Sequence, residues 1–155
     1  MSQPTRPLKA QLEHDLRQAM KARQDVLVST LRMALTSVRN VEVAGKQARE
    51  LSDDEVVAVL IREAKRRREA AEAFDAAGRE DLASKERAEE RELSAYLPQP
   101  LTDQELTDLV RTTLAEHGLS GPRQIGPAMR AVQAKAAGRA DGGRLAAEVR
   151  RQLAT

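Results

Sequence analysis

Five cationic side chains near the end of the chain, Arg123, Arg130, Lys135, Arg139 and Arg144, are the residues whose type and spacing could do chemistry. Residues 119–155 hold seven Lys/Arg against two Asp/Glu. A segment of that sign can neutralise phosphate groups. In its middle lies Gly138-Arg139-Ala140-Asp141-Gly142-Gly143. Gly138 can close one helix and Asp141 can N-cap the next, which accounts for both residues structurally. A helix start flanked by Arg139 and Arg144, with Lys135 nearby, can also hold an anion. Asp141 at the cap works against tight phosphate binding there. No aromatic residue stands close by to stack on bases, so contact with backbone shape is expected, not sequence readout.

A second basic cluster is Arg62, Lys65, Arg66, Arg67 and Arg68. At about 100° per residue, Arg62, Lys65 and Arg66 share a face with Glu69, while Arg67 and Arg68 turn to the flanks. The cluster could be a phosphate-contacting ridge, but a solvated helix laced with Glu63, Glu69 and Glu72 is the preferred reading.

Catalytic constellations are not found. His14 and His117 lie far apart, and neither has a second histidine at i+3 or i+4 to make a metal pair. His117 precedes Gly118 in a last helical turn, where a cation complements the helix dipole. The carboxylates stand at salt-bridge spacing from Lys and Arg. The chain has no cysteine, which excludes disulfides, thiol nucleophiles and Cys-ligated metal sites. No catalytic residue, metal or cofactor is therefore expected.

The elements that position these residues are read as helices. Of 155 residues, 41% are hydrophobic and only 1% aromatic, so Ala, Leu, Val and Met must supply the core. That composition favours helices and leaves little to fill strands. No apolar run approaches a membrane span, and the N-terminus has no apolar signal-peptide core, so a soluble cytoplasmic protein is expected.

Leu8, Leu12, Leu16 and Met20 give one stripe of a first helix after Pro7. Leu27, Leu31, Ala34, Leu35, Val38 and Val41 give a second, ending near Gly45. The capping box Ser52-Asp53-Asp54-Glu55 opens a third, which Gly78 closes. A fourth, about 81–97, has a thin apolar stripe and a solvated remainder. The third and fourth are expected as a long charged antiparallel hairpin projecting from the body.

Pro98-Gln99-Pro100 marks a domain boundary. A second capping box, Thr102 to Glu105, starts the fifth helix; a sixth follows Gly126-Pro127, and a last short one carries Leu145, Val149 and Leu153. The fold class is all-α, with an N-terminal helical domain over 1–97 and a small three-helix domain over 98–155. Residues 1–49 carry nine Lys/Arg against four Asp/Glu, and residues 50–97 nine against fourteen, so a near-neutral total hides basic ends.

Ser29-Thr30-Leu31-Arg32-Met33, the run from Glu72 to Leu82, Tyr96-Leu97-Pro98 and Gly138-Arg139-Ala140-Asp141-Gly142, in that order, resemble the YqeY family. The resemblance runs from about Leu8 to Leu153. It implies that the C-terminal domain is similar to the tail of GatB, the tRNA-dependent amidotransferase subunit whose tail contacts the outer corner of tRNA. The same domain fused to a glutaminyl-tRNA synthetase implies an accessory tRNA-binding role. Arg139 and Asp141 stand where GatB tails tend to carry Lys or Asn.

The expectation is a non-catalytic accessory protein that binds tRNA through Arg123, Arg130, Lys135, Arg139 and Arg144. It would serve tRNA-dependent amidation or glutaminyl-tRNA synthesis beside an aminoacyl-tRNA synthetase or amidotransferase, with no membrane or DNA contact. A protein–protein adaptor docking through the charged hairpin is the alternative. The other is carbon–nitrogen ligase activity with glutamine as amido-N-donor within an amidotransferase complex, a label the resemblance carries although GatB's catalytic body is missing from this chain.

Overall fold

Every apolar stripe read from the sequence folds as a helix in the computed structural model, which describes residues 6–155. The helices are α1 (Leu8–Lys21), α2 (Asp25–Glu42), α3 (Asp53–Ala76), α4 (Glu80–Ser94), α5 (Asp103–Glu116), α6 (Ile125–Ala136) and α7 (Gly142–Leu153), with a 3-10 turn at Pro122–Gln124. The fold is all-α, and no strand occurs among the described residues. No described helix is long and apolar enough to cross a membrane. The chain forms two compact units, Met1–Leu97 and Pro98–Thr155.

The first unit packs α1 against α2 and lays the α3–α4 hairpin over them. Its core is Leu12, Leu31, Leu35, Val38, Val56, Leu60 and Leu93, all essentially inaccessible. Met20 does not complete the stripe of α1. Each i+4 step advances about 400°, so the fourth member has rotated well off the buried line. Ala19 takes the core place at 1% exposure, and Met20 is 48% exposed.

The Ser52 capping box forms: the hydroxyl accepts from Glu55 N, and Glu55 accepts from Ser52 N at 2.9 Å. Arg49 adds a two-point ion pair to the same carboxylate, and together they hold Glu55 at about 2. At the hairpin tip Gly78 takes φ +72°, and the Arg79 N–H donates back to Phe74 O at 2.8 Å. This left-handed closure is one that glycine adopts without a Cβ penalty. Helix α4 stops at Ser94 instead of running to Leu97, because Pro98 pushes its predecessor out of the helical region. The last turn tightens to i→i+3 bonds, Tyr96 N to Leu93 O and Leu97 N to Ser94 O.

The solvated faces expected for the hairpin are only partly so. Arg67 on α3 turns inward and meets Glu63 at 3.7 Å, Glu86 at 3.3 Å and Glu89 at 3.2 Å. Glu63 and Glu89 are 5% and 3% exposed, and Ser37 of α2 donates to Glu63 at 2.7 Å. A thin apolar stripe leaves too little hydrocarbon to fill the hairpin interior, so the long stems of Arg and Glu fill it and their charges must pair.

The second unit has its own core: Leu101, Leu106, Val110, Ala128, Val132, Leu145, Val149 and Leu153. Thr102 and Glu105 close the second capping box as the spacing predicts. Helix α6 begins at Ile125, ahead of Gly126-Pro127. Proline is tolerated in a first turn, where its missing N–H would have had no partner.

Candidate nucleic-acid interface

The five predicted cations fall into three environments. Arg139 and Arg144 are turned onto the segment that leads into α5. Arg139 donates to Gln99 O at 2.8 Å and approaches Glu105 at 3.4 Å, while its carbonyl accepts from Leu101 N at 2.7 Å. Arg144 donates to Leu101 O at 3.0 Å and to Asp103 at 2.9 Å. The two arginines thus satisfy carbonyls in a stretch where two prolines supply no N–H, and they fasten it to the α6–α7 loop and the first turn of α7.

Asp141 does N-cap α7, accepting from Arg144 N at 2.9 Å. Its carboxylate occupies the helix start that the sequence also offers to an anion. The α6 end is closed by Ala137, itself left-handed at φ 48°, ahead of Gly138 at φ 80°.

Lys135 makes an exposed ion pair with Glu116 at 3.4 Å. Such a pair is worth little and yields readily to a stronger anion. Arg123, in the 3-10 turn, and Arg130, on α6, are exposed, and neither has a carboxylate within 4 Å among the described residues. Arg150 is a further cation of this unit, outside the five. It is exposed on α7, is likewise unpaired, and lines a cavity of about 350 Å³ with Pro122, Ile125, Leu153 and Ala154. Its neighbour Arg151 is spent on Glu148, whose carboxyl that pair holds at about 2.

Arg150 can be found from sequence only by noticing that Arg151 has Glu148 three residues back, at pairing distance on a helix, while Arg150 has none. The cavity offers one ionisable group, Arg150, and neither an acid nor a nucleophile. No group of three or more His, Asp or Glu that could hold a metal occurs among the described residues. His14 lies on α1, and His117 caps the C-terminal end of α5.

The family model described as Yqey-like protein matches residues 9–153. An uncharacterized protein of Schizosaccharomyces pombe is 36% identical over 93 residues, which cover 59% of this chain and 73% of that protein.

Proposed function

The chain belongs to the YqeY family, and from that premise we propose that it is a non-catalytic accessory protein that binds tRNA through residues 98–155. It acts beside an enzyme of tRNA-dependent amidation or glutaminyl-tRNA synthesis. The observation that carries the reading is the set of exposed, unpaired guanidinium groups on this unit, Arg123, Arg130 and Arg150. Lys135 joins them when its exposed pair with Glu116 opens. Charged groups already held by carboxylates and carbonyls would have to give up those bonds to meet a phosphate. For that reason Arg139 and Arg144 serve the reading by fixing the linker, not by contact. Phe, Tyr and Trp are absent from this unit, so binding follows the phosphate backbone and its shape.

The test is a fluorescence titration of the full chain with total tRNA at low and physiological salt, with duplex DNA as competitor. Saturable binding that DNA does not displace and that salt weakens is expected. Reversing Arg123, Arg130 and Arg150 to Glu together should reduce affinity at least ten-fold and lower the salt slope by about 3. Unchanged affinity in that variant would remove the site; wild-type protein that leaves tRNA unbound at low salt would remove the function.

A further inference from the structure

The N-terminal unit carries a denser set of unpaired cations than the C-terminal one. In and between α1 and α2 stand Arg17, Lys21, Arg23, Arg32 and Arg39, all exposed. Among the described residues none of the five has a carboxylate within 4 Å, although Lys9 and Arg49, at the far end of these helices, are paired with Glu42 and Glu55. Two contacts set the register of the helices. Lys9 meets Glu42 at 2.8 Å, and at the opposite end Arg32 approaches the Met20 sulfur at 3.9 Å.

That antiparallel register puts Arg17 across from Ala34 and Leu35, with Arg32 and Arg39 one turn to either side. Arg32 and Arg39, seven residues apart, share one flank of α2, and Arg17 stands at the level between them on the exposed face of α1. Arg32 and Arg39 are separated by two helical turns, about 10 Å along the axis. Lys21 and Arg23 extend the row past the end of α1, where Arg23 is the left-handed residue of the turn at φ 55°. By the same register Glu13 stands level with Arg39, and Asp25 follows Arg23 in the chain, so two carboxylates face five cations.

We infer that this α1–α2 seam is a second RNA-contacting face, one that takes the phosphodiester backbone of the RNA. A row of cations at intervals of about a helical turn or two matches an extended line of phosphates better than a single small anion, which two of them would satisfy. Phe74 and Tyr96 lie outside α1 and α2, and the one ring on these two helices is that of the half-buried His14, so the face is built for phosphates more than for stacked bases. The Arg32 guanidinium donates to the sulfur of the exposed Met20 at 3.9 Å and meets no carboxylate within 4 Å among the described residues.

The inference rests on the reading that the protein binds RNA, and one experiment separates the two. Total tRNA is titrated against the full chain, against an Arg17→Glu/Arg32→Glu/Arg39→Glu variant, and against the Arg123→Glu/Arg130→Glu/Arg150→Glu variant. Lys85→Glu, at an exposed unpaired lysine on α4, controls for charge reversal away from the seam, at two charge units against six in each triple variant, and helical circular dichroism confirms that each variant is folded. The seam variant is expected to lose at least ten-fold in affinity and about 3 in salt slope, with Lys85→Glu changing affinity less than three-fold.

Wild-type affinity in the seam variant overturns the inference. If the C-terminal variant still weakens binding in that case, the proposed function survives it. Loss confined to the seam variant keeps the inference and moves RNA binding off the C-terminal unit. Wild-type protein that leaves tRNA unbound overturns both. Poly-glutamate displacing tRNA as effectively, charge for charge, also overturns the inference and makes the seam a site for an acidic protein.

Discussion

Arg67 shows how much one side chain can decide. Three carboxylates approach it, two of them almost inaccessible, and its Nε has no acceptor. Removing one partner from a buried ion pair strands the other charges in a poorly solvating interior, at a cost of about 3–5 kcal/mol. Arg67→Met is therefore expected to destabilise the first unit by about 3 kcal/mol or more, read as a fall in the urea midpoint. Adding Glu89→Leu should recover part of that loss, because it replaces a stranded carboxylate with hydrocarbon. A double variant as unstable as the single one would mean that Arg67 matters through its packing alone. Helical spacing placed Arg67 on the flank of the basic cluster, and that placement holds. Its burial could not be read there, because it depends on which face of α4 comes to meet it, and Glu86 and Glu89 lie about twenty residues further along. The same limit applied to Arg139 and Arg144. Their type and loop position point to phosphate, and their bonds to the carbonyls of Gln99 and Leu101, about forty residues earlier, could not be read there. Backbone acceptors leave no signature in residue identity.

At the scale of elements, the legible features were those whose partners lie within one turn. Both capping boxes formed as their Ser/Thr and Glu spacing predicts, and Gly78 and Gly118 close α3 and α5 with positive φ. Helix ends set by proline or by packing, such as Ser94 and Ile125, were off by a few residues. The first capping box also makes stability depend on pH. Arg49 and the Ser52 N–H hold Glu55 at about 2, whereas an unfolded glutamate titrates near 4.5. Because the folded value is the lower one, the contribution is complete above about pH 5 and is lost as pH falls from about 4.5 toward 2. Glu42, lowered by its bond to Lys9, and Glu148, held at about 2, act in the same direction. The urea midpoint should therefore drop as the buffer is taken from pH 5 to pH 2.5. Glu55→Gln should lower the midpoint at pH 7 and flatten its fall with acid. A Gln variant that tracks wild type at every pH would show that the box contributes nothing measurable.

For the whole molecule the governing fact is two separate cores joined at Pro98-Gln99-Pro100. The prolines make the boundary visible, yet the linker is not slack chain. Leu101 is 4% exposed in the second core, its N–H donates to Arg139 O at 2.7 Å, and its carbonyl accepts from Arg144. These residues belong to the C-terminal unit structurally as well as in sequence. A fragment of residues 98–155 should accordingly be helical alone and melt in one cooperative transition. A domain of under about 70 residues has a stability of only about 3–5 kcal/mol to lose. Starting the fragment at residue 102 keeps the Thr102 cap and Asp103 but deletes a buried leucine, worth about 2 kcal/mol. It also deletes the Gln99 and Leu101 acceptors, which leaves the Arg139 guanidinium without its backbone bond. That shorter fragment should lose most of its helical signal at 37 °C or melt well below the longer one. Equal melting of the two would mean that Arg139 and Arg144 do not brace the linker. Those arginines would then again be candidates for phosphate contact alongside Arg123, Arg130 and Arg150.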